Sequence, residues 1–163
     1  MAERQGRTAP DAVLTRIGQV VMLHHAGDRE EARHRLLALW AEIGEHGDPL
    51  HRCTLAYYLA DTQDDPADEL AWDLRALTAA DEAGQEVLAV RAFYPSLHLN
   101  LADVYARLGR RDAARSHLRR ARESASALPG DRHGESVWAA IARLESRLGG
   151  GGGGMWTPPR QRP

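Results

Sequence analysis

The chain has no lysine; every basic residue is an arginine. That usage points to a high-GC coding bias, as in actinobacteria, and bears on source rather than on chemistry. There is one cysteine, Cys53, so no intramolecular disulfide can form and a reducing compartment is expected. No apolar run approaches the roughly 20 residues that span a bilayer. The opening Met1 to Arg7 lacks the apolar centre of a signal peptide. A soluble, cytoplasmic protein is the expectation. Isoleucine, valine and, outside one run near the end, glycine are scarce, whereas Ala, Leu, Arg and Glu are abundant, a composition that favours an all-α fold. At 163 residues the chain can bury a substantial core as one domain.

Chemistry-bearing patterns are thin. His24 and His25 are adjacent and point about 100° apart on a helix. His51 and Cys53 fall on different faces, and with His46 they have no spacing suited to zinc. Cys53 reads as a small buried helix residue rather than a nucleophile. No glycine-rich loop is followed by the Lys-Ser/Thr pair that cradles phosphate. No nucleophile, base and oxyanion site assemble in the pattern, so no enzymatic activity, metal or cofactor is expected.

Charge is unevenly spread. Residues 28–82 carry 14 acids against 5 arginines, and residues 83–122 carry 3 acids against 8 arginines. The split suggests two differently charged faces.

The most informative stretch is residues 97–121. Leu97, Leu101, Val104, Tyr105 and Leu108 share one helical face, a turn follows at Gly109, and Ala114, Leu118, Ala121 and Ala125 form a second, narrower stripe. Ala102 and Ala114 are small where two helices must approach closely, and Gly109 can take the left-handed conformation that ends a helix. Leu101, Ala102, Tyr105, Gly109, Ala114, Leu118 and Ala121 resemble the tetratricopeptide repeat at the correct spacings.

Earlier hairpins follow by period. Pro10-Asp11 opens a helix running to about His25. Asp28, with Glu31 three residues on, is positioned to cap a second helix bearing Ala32, Leu36, Leu37, Trp40 and Ile43. Pro49 starts a third helix, and Asp65-Pro66 a fourth with Leu70, Leu74 and Leu77 inward and Trp72 packing on the next hairpin. The turns at Gly27, Asp65 and Gly109 are 38 and 44 residues apart, longer than the standard 34. Residues 83–94 are expected to absorb the excess as an irregular or separately helical connection, with Pro95 starting helix five. A last helix, about 132–148, carries Val137, Trp138, Ile141 and Leu144 and would close the open end of the stack. The resemblance implies a right-handed superhelix of three antiparallel helical hairpins plus a capping helix over residues 1–148.

The tail reads differently. Residues 149–154 are six glycines, followed by Met155-Trp156-Thr157-Pro158-Pro159-Arg160-Gln161-Arg162-Pro163. A glycine run is a flexible tether, and a Met directly after it looks like another protein's first residue. The arrangement reads as an engineered fusion of a domain, a linker and a partner's N-terminal peptide. Thr-Pro-Pro favours polyproline II, Trp156 is a natural buried anchor, and Arg160 and Arg162 would seek carboxylates.

In the family that the chain resembles, the first helix of each hairpin lines a concave groove that binds extended peptides. Here those faces carry Ser96, Asn100, Asp103 and Arg107, with Leu99 beside them, then Leu50, Thr54, Tyr57 and Asp61, and Gln19 on the first helix. An asparagine can hold a peptide backbone through both donor and acceptor. Asp61 and Asp103 would pair with the tail's arginines, and Tyr57 would stack on Trp156 or Pro158. Without lysine, the Lys-Asn-Arg clamp that some such domains use for a terminal carboxylate is not expected. The sequence therefore reads as a non-enzymatic adaptor for a short, cationic, Trp/Pro-containing segment, docked in cis or by tail exchange in a dimer. The alternatives are a regulatory peptide sensor controlling transcription, or a nucleic-acid-binding repeat using the Arg107–Arg122 cluster.

Overall fold

The computed structural model describes residues 11–149, in which seven α-helices and no strand occur. They are α1 (Ala12–His25), α2 (Arg29–Ile43), α3 (Pro49–Asp61), α4 (Pro66–Ala83), α5 (Leu88–Arg107), α6 (Arg111–Ala125) and α7 (Arg132–Gly149). Pairs α1–α2, α3–α4 and α5–α6 form hairpins, and the second helix of each packs on the first helix that follows it. The inner layer is continuous, since α1 touches α3, α3 touches α5 and α5 touches α7. The result is an all-α, tetratricopeptide-like repeat superhelix. The tail peptide and the glycines from Gly150 onward lie outside the described residues.

The turns of hairpins one and three share one chemistry. After α1 the chain passes through Gly27 at φ 96°, and Asp28 N–H donates to the Leu23 carbonyl at 3.1 Å. After α5 it passes through Gly109 at φ 77°, and Arg110 N–H donates to the Tyr105 carbonyl at 2.9 Å. Both are six-to-one closures that require a left-handed residue. The middle hairpin has no glycine there. Thr62 ends α3 with its hydroxyl on the Leu59 carbonyl at 2.8 Å, and the Asp65 carboxylate accepts Ala67 N–H at 2.8 Å to start α4.

Several expectations are corrected. Asp28 makes no side-chain cap, because it already closes the α1 turn through its backbone, and Glu31 is taken by Arg35 at 2.7 Å. Asp65→Ala should therefore cost about 1 kcal/mol, seen as a melting temperature lower by about 2–4 °C, while Asp28→Ala should cost markedly less in the same melts.

Helix α5 does not begin at Pro95; it runs from Leu88 straight through it, so residues 88–94 are part of the same helix and only 84–87 form the connecting loop. Pro95 removes one helical donor, a loss of about 3 kcal/mol in an unsupported helix. Here Val90, Phe93 and Tyr94 before it and Leu97 after it all pack on the α3–α4 core, which holds both halves in line.

In α2 the buried face is Ala32, Leu36 and Leu39, with Leu37 exposed. In α4 it is Asp73, Ala76, Ala79 and Ala80, with Leu74 exposed. Trp72 packs on the preceding hairpin instead of the next, edge-to-face against Trp40 with centroids 5.1 Å apart. In α7, Leu148 replaces the exposed Trp138 on the buried face. The stripes of α6 and of the C-terminal half of α5 are as expected, apart from an exposed Leu108.

Candidate binding groove

Asn100 and Asp103 project from α5 toward α7. With Leu99 they form one wall of an open cleft of about 650 Å³, whose other wall is Ala140, Arg143, Leu144, Ser146 and Arg147. The cleft thus lies between two helices of the inner layer. Its polar rim is crosslinked: Arg147 Nη2 donates to Asp103 Oδ1 at 2.7 Å, and Arg107 Nε to Asp103 Oδ2 at 3.0 Å. Arg107 also reaches back to α4 through Nη2 on Glu69 Oε1 at 2.6 Å. Asp103 thus carries two guanidinium groups already. Arg143, on the same face as Arg147, has no ion pair among the described residues.

Asn100 is joined to the next inner helix. Ser96 and Asn100 lie close enough to the half-buried Tyr57 phenol to favour its ionised form slightly. Burial and then the charge of Asp61 push that phenol up to about 12, and the two polar neighbours only partly offset this. Tyr57 sits edge-on to Phe93, centroids 5.4 Å apart, and to Tyr58 at 5.1 Å.

Asp61 lies at the end of α3. It meets solvent on one side, yet partial burial and then the Glu69 charge push its carboxyl up to about 6, against a smaller pull from His25.

Not every expected residue joins this surface. Thr54 is buried, with its hydroxyl on the Leu50 carbonyl at 2.7 Å, and presents nothing to a ligand. Gln19 lines a separate cleft of about 250 Å³ between α1 and α2 with Arg16 and Arg35. Trp156, Pro158, Pro159, Arg160 and Arg162 lie outside the described residues.

Glu69, Asp73, Arg143 and Arg147 were not anticipated. The only signal was their spacing, four apart on α4 and four apart on α7, which places each pair on one face. The Arg107–Arg122 cluster is split: Arg115, Arg119 and Arg122 share one surface cleft, and others are drawn away from it. Arg107 turns inward to Glu69 and Asp103, Arg111 caps the end of α7 through the Leu148 carbonyl at 2.6 Å, and Arg122 pairs with Glu145 at 2.6 Å.

On the other side of α5, His98 and His117 share a hydrogen bond, with their Nδ1 atoms 3.1 Å apart. Their ring centroids are 5.3 Å apart at 25°, so the rings meet edge to edge. Tyr105 lies parallel to His117, and Tyr94 donates to Asp81 at 2.8 Å.

Among the described residues no three or more His, Cys, Asp or Glu side chains are placed to hold a metal ion, and no helix is long and apolar enough to cross a membrane. Cys53 is fully buried; burial, then the Asp81 charge, push its thiol up to about 12. The folded protein should therefore leave Cys53 unlabelled by a thiol reagent at pH 7.5 and expose it only in denaturant, read by mass spectrometry.

Two models of the tetratricopeptide repeat match the chain, over residues 13–38 and 94–149. The first covers α1 and much of α2; the second runs from Tyr94 in α5 to the end of α7, and so contains both walls of the cleft. No curated protein and no solved structure gives a significant match.

Proposed function

We propose, from the premise that this chain is a tetratricopeptide-like helical-repeat protein and so a protein–protein interaction module in general terms, that it is a non-enzymatic adaptor binding one short, extended segment of a partner in its inner groove. The observation that supports this best is the α5–α7 cleft. An apolar floor from Leu99 and Leu144 lies beside Asn100, whose amide both donates and accepts and so can hold a peptide backbone. A tryptophan or proline fits such a floor, and the carboxylates farther along the groove favour a cationic segment.

The chain's own residues 155–163 have that composition. The tether begins at Gly149, within a turn of Arg147 on the cleft wall. Six glycines span about 13 Å on average and about 20 Å when stretched. Docking in cis is within reach, and otherwise the tail would occupy a neighbouring molecule.

Calorimetry of the free peptide 155–163 against residues 1–149 tests the proposal. Binding in the micromolar range is expected, weakened roughly tenfold or more by Trp156→Ala in the peptide and by Asn100→Ala in the groove. Absence of measurable heat near a millimolar would end it.

A further inference from the structure

Asp73 in α4 is completely buried, and neither of its carboxyl oxygens has a hydrogen-bond partner among the described residues. An isolated buried carboxylate is too costly to persist, so such a group either keeps a proton or takes a cation. Its surroundings are crowded with like charge. Glu69 is one turn away on the same helix, Asp61 comes from α3 and Asp103 from α5, and all three act on Asp73 together with Arg107.

The groups facing this notch come from every element around it. His25 at the end of α1 acts on Asp61, and Tyr57 and Tyr58 of α3 feel the Asp61 charge. Arg107 of α5 bonds Glu69 and Asp103, and Arg147 of α7 bonds Asp103. Four carboxylates thus share two guanidinium groups, both of which are bound to Asp103. Neither Asp61 nor Asp73 has an ion pair among the described residues.

We infer that the notch floored by Asp73 and walled by Asp61 and Glu69 is a receptor for one guanidinium group of the segment held in the groove, an inference that rests on the groove reading above. The Arg107 side chain is 39% exposed and is held at two points, Glu69 and Asp103. Releasing Nη2 from Glu69 keeps the Nε bond to Asp103 and frees the Glu69 carboxylate for an incoming cation. An incoming planar guanidinium can then bridge Asp61 and Glu69 above the buried carboxyl, a geometry that a lysine ammonium does not reproduce.

The empty notch is held together by protons, since burial followed by the neighbouring carboxylates pushes Asp73 up to about 8. The arriving cation makes the ionised form favourable. Asp73 then loses its proton to the buffer while the guanidinium keeps its charge. Guanidinium binding at neutral pH is an exchange of one cation for one proton.

The test uses the full chain with Trp156→Ala, Arg160→Gln and Arg162→Gln, so that its own tail supplies neither the anchor nor a guanidinium and competes little, and adds the peptide 155–163 in trans. Calorimetry at pH 7 in two buffers of different ionisation enthalpy counts the protons released. Close to one proton per bound peptide is expected. The peptide with both arginines replaced by glutamine should bind roughly tenfold more weakly and release none.

In the receptor, Asp73→Asn should abolish the release, and Glu69→Gln should weaken binding of the arginine peptide while sparing the glutamine peptide; circular dichroism checks that each variant is folded. Equal binding of both peptides without proton release would overturn the notch and leave the groove standing. Failure of both peptides to bind would remove the notch and the groove together.

Discussion

Asp73→Asn should stabilise the protein at pH 8.5, by about 2–4 kcal/mol, although it replaces a fully buried residue. The carboxyl is pushed up to about 8 by burial, then by Glu69 and Asp61. Its folded form therefore binds a proton more tightly than the unfolded chain, where the ordinary value is 3.8. A raised value of this kind contributes stability that is fully present below the unfolded value and lost as pH rises through the folded one. Between about pH 4 and 8 the wild type thus loses stability that the uncharged amide has no means of losing. The gain in the variant should be near zero at pH 4.5 and grow through pH 8.5, read from denaturant melts at several pH values. A uniform loss at all of them would show that the carboxyl is not a liability.

The histidine pair carries the opposite sign. Burial, then His117 and Arg120, pull His98 down to about 4, and burial and Arg120 also lower His117. Asp81 opposes this only weakly. The Nδ1···Nδ1 bond needs one donor and one acceptor, so a second proton on the pair breaks it. Stability from this group is present above the unfolded value of 6.5 and lost as pH falls toward 4.

The loss should be on the order of 2–3 kcal/mol between pH 7 and 4 and should fall on the third hairpin, which the pair clamps. His98→Gln should be less stable than wild type at pH 7 yet flatter toward acid. The difference between the two curves is the quantity to measure, because Asp73 and Asp61 slope the other way in both. Parallel curves would mean that the pair does not sense protons.

How much was legible in the sequence follows from these same residues. The third hairpin announced itself because Leu97, Leu101, Ala114 and Leu118 are both apolar and buried, so pattern and burial coincide. In α4 they part: the inward face is three alanines and an aspartate, while Leu74 points to water. A periodicity argument follows the large apolar residues and so turns that helix the wrong way. Pro95 misled for a similar reason, since a local rule about helix starts gave way to packing on both sides of it.

At the site, Asn100, Asp103 and Leu99 were readable as one exposed face of one helix. Their opposite wall was not, because it comes from α7, some 40 residues later, which its own stripe presents only as a cap. Nor does sequence show that Asp103 is already engaged by Arg107 and Arg147. Ion pairs between helices depend on how the hairpins stack, which no local pattern encodes.

The central claim, that the inner groove receives an extended segment, is tested most directly by following the amide resonances of residues 1–149 while the peptide 155–163 is added. The account predicts saturable shifts concentrated at Leu99, Asn100, Asp103, Arg143 and Arg147, extending to Asp61 and Glu69, with the outer helices α2 and α6 unmoved. Shifts confined to the outer helices, or none at millimolar peptide, would contradict it.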